Sequence, residues 1–307
     1  MKRIIPCVVI TLALVLAGSY FPVFGFIGLM LSPLPLAVLG CSAGRKPMSI
    51  AELLVEATLF FLFSPSMALY FLLGCAPLSA VLSAVSRADF REAKKYSGAE
   101  SLLICTGASI LSKLLLLAVF WFITGRNIML PNLTEADSVI VQLYGEQPEL
   151  RAAMVRVLAL LPHLVPTLVV VWSCVEAFIN YSLCCSFTRK LNNTPPLLPE
   201  FKMWRFPASL LIVSVVSLLA GYFIDSKDWF DGAVFVMNLQ IILNVFMFVE
   251  GLSIAFWIME GFRLRRWVKA MIFVVLGFPF FWPWLVVTGM CDMVLNLRER
   301  IKFGNKE

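Results

Sequence analysis

The sequence predicts an all-α protein, a polytopic transmembrane helix bundle with about eight full crossings and a broken C-terminal hairpin. Of its 307 residues, 60% are hydrophobic and 14% are charged, whereas soluble domains are about 45–50% apolar and about 25% charged. The apolar residues form long runs, and about 20 such residues cross a bilayer. Segments rich in Lys and Arg separate the runs, which is typical of cytoplasmic loops.

Six crossings are predicted in the first part of the chain. Prolines interrupt its apolar runs at Phe21-Pro22 and at Ser64-Pro65-Ser66, and basic residues end them. The predicted crossings are 4–19, 26–41, two between Met48 and Val85, 99–123 and 152–187. The loop 124–150 is expected outside, with a short amphipathic helix that begins at Thr134.

A proline-rich linker, 191–207, is the clearest internal boundary. Two domains are therefore predicted, a six-helix bundle at 1–187 and additional transmembrane helices with a basic tail at 188–307. Two further crossings follow the linker, at 208–224 and 232–259.

The last apolar region, Val268 to Leu297, is interrupted by the Pro/Trp segment Phe278–Trp284. A single crossing would leave the basic C-terminal tail outside, against the Lys/Arg asymmetry of membrane proteins. We therefore predict two short helices with their turn at the outer interface. The same asymmetry predicts a multi-pass protein of the bacterial inner (plasma) membrane with both termini in the cytoplasm.

Lys113 lies near the middle of the fifth predicted crossing. It shares one helix face with Thr106 and Ser109, at i, i+3 and i+7. A charged residue at this depth normally faces protein or a water-filled cavity. Two interpretations remain open. Lys113 is either a structural lysine, which pairs with a carboxylate or extends toward an interface, or a ligand-binding or coupling lysine.

A matching polar stripe, Ser173, Glu176 and Asn180, lies on the sixth predicted crossing. The depths of Glu176 and Lys113 in their helices differ by roughly 6 Å at a rise of 1.5 Å per residue. A lysine side chain can span this difference, so we predict that Lys113 pairs with Glu176. Glu250 and Glu56 are the next candidates. The eighth crossing carries Gln240, Asn244 and Gly251 on one face, with Glu250 at its edge. Interhelical hydrogen bonds that hold a bundle together explain these residues equally well.

Other function classes lack support in the sequence. No P-loop, HExxH motif or nucleophile elbow occurs, so we expect no enzyme activity. The eight cysteines form no CxxC pair and His163 is the single histidine, which predicts neither a metal site nor a cofactor. The basic residues lie in short loops between apolar segments, so no nucleic-acid partner is expected.

Two stretches carry a resemblance to known families. Phe24–Gly40, followed by Ala43-Gly44-Arg45, resembles the first hairpin of the substrate-binding S components of energy-coupling-factor transporters. Asn244–Trp257 and Gly289–Arg298 are similar to segments of the YybS-like bacterial membrane proteins, a family of unknown function grouped distantly with those S components.

The resemblance implies a docking face on the first helix. In S components an AxxxA pattern there contacts the membrane coupling subunit, and Ala13 and Ala17 match this pattern. It also implies that 1–187 corresponds to the six crossings of an S component, to which the later crossings are additional.

Two functional hypotheses follow. The first is a module that binds or moves a small-molecule solute across the lipid bilayer, with a membrane coupling subunit or a second copy of the chain as partner. The second is a membrane scaffold or interaction protein whose buried polar residues are structural and which has no transport activity. A scaffold needs neither a cavity nor a coupling face.

Overall fold

A computed structural model describes residues 3–87, 96–125, 142, 147–191, 195–223, 231–262 and 264–301. Every regular element within these ranges is helical. The chain forms two compact units, Met1–Leu198 and Pro199–Glu307, so the division falls inside the linker in which a boundary was predicted. The helix predicted to begin at Thr134 lies outside the described residues.

The first unit contains eight described helices that pack around two apolar clusters, one of which includes Leu36 and Phe71 and the other Leu78 and Tyr181. A π-helical turn, Phe71–Cys75, joins the fifth helix to the sixth. The helices are α1 Ile4–Tyr20, α2 Pro22–Leu31, α3 Leu34–Ala43, α4 Arg45–Leu62, α5 Pro65–Tyr70, α6 Ala76–Ser86, α7 Gly98–Thr124 and α8 Pro148–Lys190.

Local sequence signals set the ends of these helices. Ser64 caps α5 by accepting a hydrogen bond from Met67 N at 3.2 Å, and Pro65 occupies the first turn. Proline is tolerated there because the N–H groups of the first turn make no hydrogen bond within the helix. Ser97 and Glu100 form a capping box at the start of α7. Gly125 ends that helix with a φ of 66°, a conformation that glycine adopts without a steric penalty.

The second unit contains five described α-helices. A 3₁₀ turn, Phe201–Met203, precedes them, and another, Pro279–Phe281, separates the third from the fourth. The helices are α9 Ser209–Phe223, α10 Gly232–Gly261, α11 Arg266–Leu276, α12 Trp282–Leu295 and α13 Leu297–Arg300.

The predicted break in the last apolar region is present. Helix α11 and the segment 279–295 meet at an angle of 79°, and Pro279 and Pro283 lie at the start of the second segment. Proline cannot supply the backbone N–H that a continuous helix needs, which explains why one long helix does not form.

Five described helical spans are long and apolar enough to cross a membrane, and six if the bent pair 266–295 forms one span. Two shorter apolar helices, 4–20 and 209–221, coincide with predicted crossings. Helix α4 carries two basic residues and two carboxylates in 18 residues, which lowers its hydropathy. The number of eight crossings therefore stays a prediction. The five spans are Gly25–Ala43, Pro65–Ser86, Gly98–Thr124, Ala152–Lys190 and Gly232–Gly261.

A candidate functional site in the first unit

Lys113 and Glu176 form a buried ion pair at the contact between α7 and α8. Lys113 is 9% exposed and Glu176 is 4% exposed. The lysine Nζ donates to Glu176 Oε2 and to Ser109 Oγ at 2.7 Å. Ser109 Oγ donates in turn to the same carboxylate oxygen at 2.6 Å. The three polar groups thus close a triangle inside an apolar unit.

Helical spacing brings this triangle together. Ser109 and Lys113 are four residues apart on α7, so both side chains lie on one face. On α8, Asn180 follows Glu176 by one turn and donates from Nδ2 to the backbone carbonyl of Glu176 at 2.9 Å. Ser109 and Lys113 of one predicted stripe therefore meet Glu176 of the other.

The first of two backbone irregularities beside this cluster is the break between α2 and α3. Pro33 and Pro35 interrupt the helical hydrogen-bond pattern there, which leaves backbone carbonyls without helical donors. The carbonyl of Met30 accepts a hydrogen bond from Asn180 Nδ2 at 2.7 Å. Ser32 Oγ donates to Leu29 O at 2.8 Å and to Cys75 Sγ at 3.0 Å.

The second irregularity is the π-helical turn Phe71–Cys75. Its carbonyls of Leu73 and Gly74 accept hydrogen bonds from Ser112 Oγ, which lies 3.0 Å from Gly74 O. Ser112 directly precedes Lys113 in α7. Turns of this type occur frequently at functional sites, and irregular backbone at membrane depth is tolerated where protein or a water-filled cavity surrounds it.

Two buried polar atoms of the same region have no hydrogen-bond partner among the residues that the structure describes. They are Asn180 Oδ1 and Ser173 Oγ, both in residues that are 0% exposed. A buried acceptor without a donor costs free energy, so Asn180 offers an acceptor to a solute that carries an N–H or O–H group. Ser32 and Ser112 were not predicted as site residues from the sequence. The available signals were the position of Ser32 directly before Pro33 and that of Ser112 directly before Lys113.

The remaining predicted residues lie elsewhere. Glu56 is partly buried on α4, and its Oε2 has no hydrogen-bond partner in the described part of the chain. Its pairing with Lys113, the weaker sequence alternative, is not formed, because Lys113 reaches Glu176 instead. Ala13 is exposed and Ala17 is partly buried on α1.

Three predicted residues belong to the second unit. Gln240 bridges α10 to α9 by donating to Ser214 O and Ser217 Oγ, each at 2.6 Å. Asn244 is half-buried on α10. Glu250, the other alternative partner for Lys113, instead accepts a hydrogen bond from Phe206 N at 2.8 Å and pairs with Arg298 at 3.3 Å.

Arg298 and Asp292 complete this second charged cluster, and sequence reasoning missed both. Their Nε and Oδ2 atoms lie 2.9 Å apart. Arg298 belongs to the predicted basic tail and Asp292 lies at the end of an apolar run, so neither is part of a polar stripe. Within the described ranges, no group of three His, Cys, Asp or Glu side chains is arranged to hold a metal ion.

Comparisons with known proteins place the chain among membrane proteins without an assigned activity. A family described as "Predicted membrane protein (DUF2232)" matches residues 9–293. A Bacillus subtilis protein described as "Uncharacterized protein YybS" is 24% identical over 147 residues, which cover 47% of this chain and 47% of that protein. No solved structure matches the chain. The resemblance to S components has no support in these matches and stays a prediction.

Proposed function

This chain belongs to the DUF2232 family of membrane proteins, and we propose that its first unit binds a small polar solute as a transport module. One observation carries the proposal. The buried Lys113–Glu176 pair lies beside two interruptions of membrane helices, the α2–α3 break and the π-helical turn Phe71–Cys75. Solute sites of secondary transporters are commonly formed by interrupted helices near the middle of the bilayer.

The groups at this place suit a solute with both a hydrogen-bond donor and a negatively polarised acceptor. Asn180 Oδ1 is a buried acceptor at this place that has no partner within the described ranges. Lys113 Nζ carries a third N–H donor beyond the two that reach Ser109 and Glu176. A solute held between these groups would be bound by polar contacts inside an apolar wall, which fixes orientation as well as affinity.

We further propose that the chain is a bacterial inner-membrane protein that crosses the bilayer about eight times, with both termini in the cytoplasm. A membrane coupling subunit, or a second copy of the chain, would dock on the α1 face that contains Ala13 and Ala17. Small residues spaced by four allow helices to approach closely, and Ala13 is exposed. We propose binding and movement of the solute without catalysis.

Mass spectrometry of small molecules released from the detergent-purified protein tests the binding function. We expect a polar molecule to be retained by the wild type and its amount to fall several-fold in Ser109→Ala. Ser253→Ala is the matched control, because Ser253 is also a buried serine with hydrogen bonds, which it donates to Phe201 O and Trp204 O, but it belongs to the second unit. Equal profiles for all three proteins, or no retained molecule, would contradict the proposal.

The scaffold function remains a second candidate because of one specific observation. The charges of Lys113 and Glu176 neutralise each other, and Ser109 joins both, so the pair is stable without a ligand. A scaffold would keep its fold and its protein partners after removal of both charges, and it would show no change in bound small molecules.

A further inference from the structure

The second unit contains a charged cluster that the proposed function does not use. Glu250 on α10 is 1% exposed and Asp292 on α12 is 3% exposed. Both carboxyl groups contact the guanidinium of Arg298, whose side chain is 5% exposed. Nη2 lies 3.3 Å from Glu250 Oε1, and Nε lies 2.9 Å from Asp292 Oδ2.

The fold forces these groups together. Helices α10 and α12 cross at Gly251 and Gly289, where a Cβ on either glycine would overlap a backbone carbonyl of the other helix. Glu250 adjoins the first glycine, and Asp292 lies one turn beyond the second. Asn296, with a φ of 48°, ends α12 in a left-handed turn. Arg298 follows that turn and reaches back to the two carboxyl groups.

Glu250 and Arg298 have more hydrogen-bond partners in this cluster than Asp292. Glu250 Oε2 accepts from Phe206 N at 2.8 Å. Arg298 donates from Nη1 to the carbonyl of Lys202 and from Nη2 to Ser253 Oγ at 3.2 Å. The approach of Arg298 Nε to Asp292 is close but lacks hydrogen-bond alignment, and in the described part of the chain no N–H group donates to either carboxyl oxygen of Asp292. Asp292 is thus a deeply buried carboxyl group with free hydrogen-bonding capacity.

The charges do not balance if both carboxyl groups are ionised. Among the residues that the structure describes, Arg298 is the one cation that pairs with either of them. Two carboxylates and one guanidinium leave one negative charge in an apolar interior, and an uncompensated buried charge is strongly unfavourable. Two carboxyl groups that contact the same guanidinium in such a place share a proton, because like charges at short distance disfavour ionisation of both.

Nearby charged groups do not supply the missing positive charge, since each has another partner or belongs to the surface. Lys202 pairs with Glu200 and Glu260, each at 2.7 Å. Lys269 on α11 lies 3.9 Å from Glu260, and Arg205 pairs with Glu299 at 3.0 Å. Helix α9 has no charged residue within Ser209–Phe223. The other charged or titratable groups on the elements around the cluster are Arg266, Cys291 and Arg300.

We infer that the Glu250–Asp292 pair is a proton-binding site, in which one proton is shared between two buried carboxyl groups held against the Arg298 guanidinium. The ligand class is the proton itself, and the site lies wholly within the second unit. Buried carboxyl groups that bind and release protons form the proton relays of membrane pumps and transporters. The inference does not depend on solute binding by the first unit.

The pH dependence of stability tests this site. The proposed site holds one proton near neutral pH, where the carboxyl groups of the unfolded chain are ionised. The folded state then binds more protons in this window, so stability falls as pH rises. We expect the melting temperature in detergent to drop by a few degrees from about pH 5 to about pH 8. In Asp292→Asn the drop should be largely absent, because one carboxylate and one guanidinium already balance.

A second site variant and a control variant are measured in the same way. Glu250→Gln should also flatten the pH dependence, so the conclusion does not rest on the folding of a single variant. Glu299→Gln is the matched control, since it removes an exposed carboxyl group from α13 beside Arg298, and it should retain the wild-type slope. A wild-type slope in Asp292→Asn or in Glu250→Gln would overturn the inference.

Infrared difference spectroscopy gives a readout that is independent of stability. A protonated carboxylic acid has a C=O stretch that a carboxylate lacks. We expect the spectrum of the wild type at neutral pH to contain this band and the spectrum of Asp292→Asn to lack it. The same spectrum for both proteins would show that the pair holds no proton.

Discussion

At the scale of single residues, Lys113 and Glu176 form a buried ion pair in the first unit. Both side chains are almost fully buried, so each charge depends on the other for compensation. Removal of one partner from a buried pair typically costs about 3–5 kcal/mol because an uncompensated charge remains. Removal of both partners eliminates that cost and leaves only the loss of packing.

We therefore predict that Lys113→Met and Glu176→Gln each lower the melting temperature in detergent by several degrees. The double variant should recover a large part of that loss. Lys202→Met is the control, because Lys202 pairs at the surface with Glu200 and Glu260 and exposed ion pairs contribute little. Additive losses in the double variant would contradict energetic coupling of the pair.

The residue scale also shows what sequence alone reveals about the site. The i, i+3, i+7 spacing on two consecutive helices, together with their similar depth, singled out Lys113 and Glu176. The spacing could not reveal that Ser112 binds the carbonyls of a π-helical turn, since such a turn has no periodic signature. Asp292 and Arg298 escaped notice because a turn after α12, rather than a shared helix face, brings them together.

At the scale of the element, close helix crossings need glycine at specific points. A Cβ at Gly251 would overlap the carbonyl of Leu285, and one at Gly289 would overlap the carbonyl of Met247. These two glycines lie on different helices, so the sequence contains no motif that connects them. The positions of the apolar runs and of their proline breaks were predictable, whereas the partner of each helix was not.

We predict that Gly251→Ala and Gly289→Ala each reduce the melting temperature, because the helices must separate to admit the methyl group. Gly107→Ala is the matched control, since a Cβ there has no neighbour within 4 Å and alanine favours a helix over glycine by about 1 kcal/mol. Its melting temperature should stay unchanged or rise. A similar loss in all three variants would indicate that these crossings are not close in solution.

At the scale of the whole molecule, the Lys/Arg asymmetry predicts the orientation in the membrane. Five described spans are long and apolar enough to cross a membrane, but length and hydropathy leave the number of crossings open because α1, α4 and α9 are short or charged. The orientation therefore needs its own measurement.

We predict that a single cysteine placed at Asn132 in a cysteine-free background reacts with an impermeant maleimide in intact cells. A single cysteine at Asn305 should react only after the cells are permeabilised, because the tail is predicted to be cytoplasmic. Labelling of both positions in intact cells would mean that the last apolar region crosses the membrane once.

The measurement that tests the central claim most directly is the amount of solute that the protein retains after both charges of the Lys113–Glu176 pair are removed. The wild type and the double variant Lys113→Met with Glu176→Gln are purified in parallel, and the released small molecules are quantified by mass spectrometry. We predict that the double variant stays folded, with a melting temperature near that of the wild type, and loses the solute. A folded double variant that retains the same molecules in the same amounts would contradict a solute-binding role for this cluster.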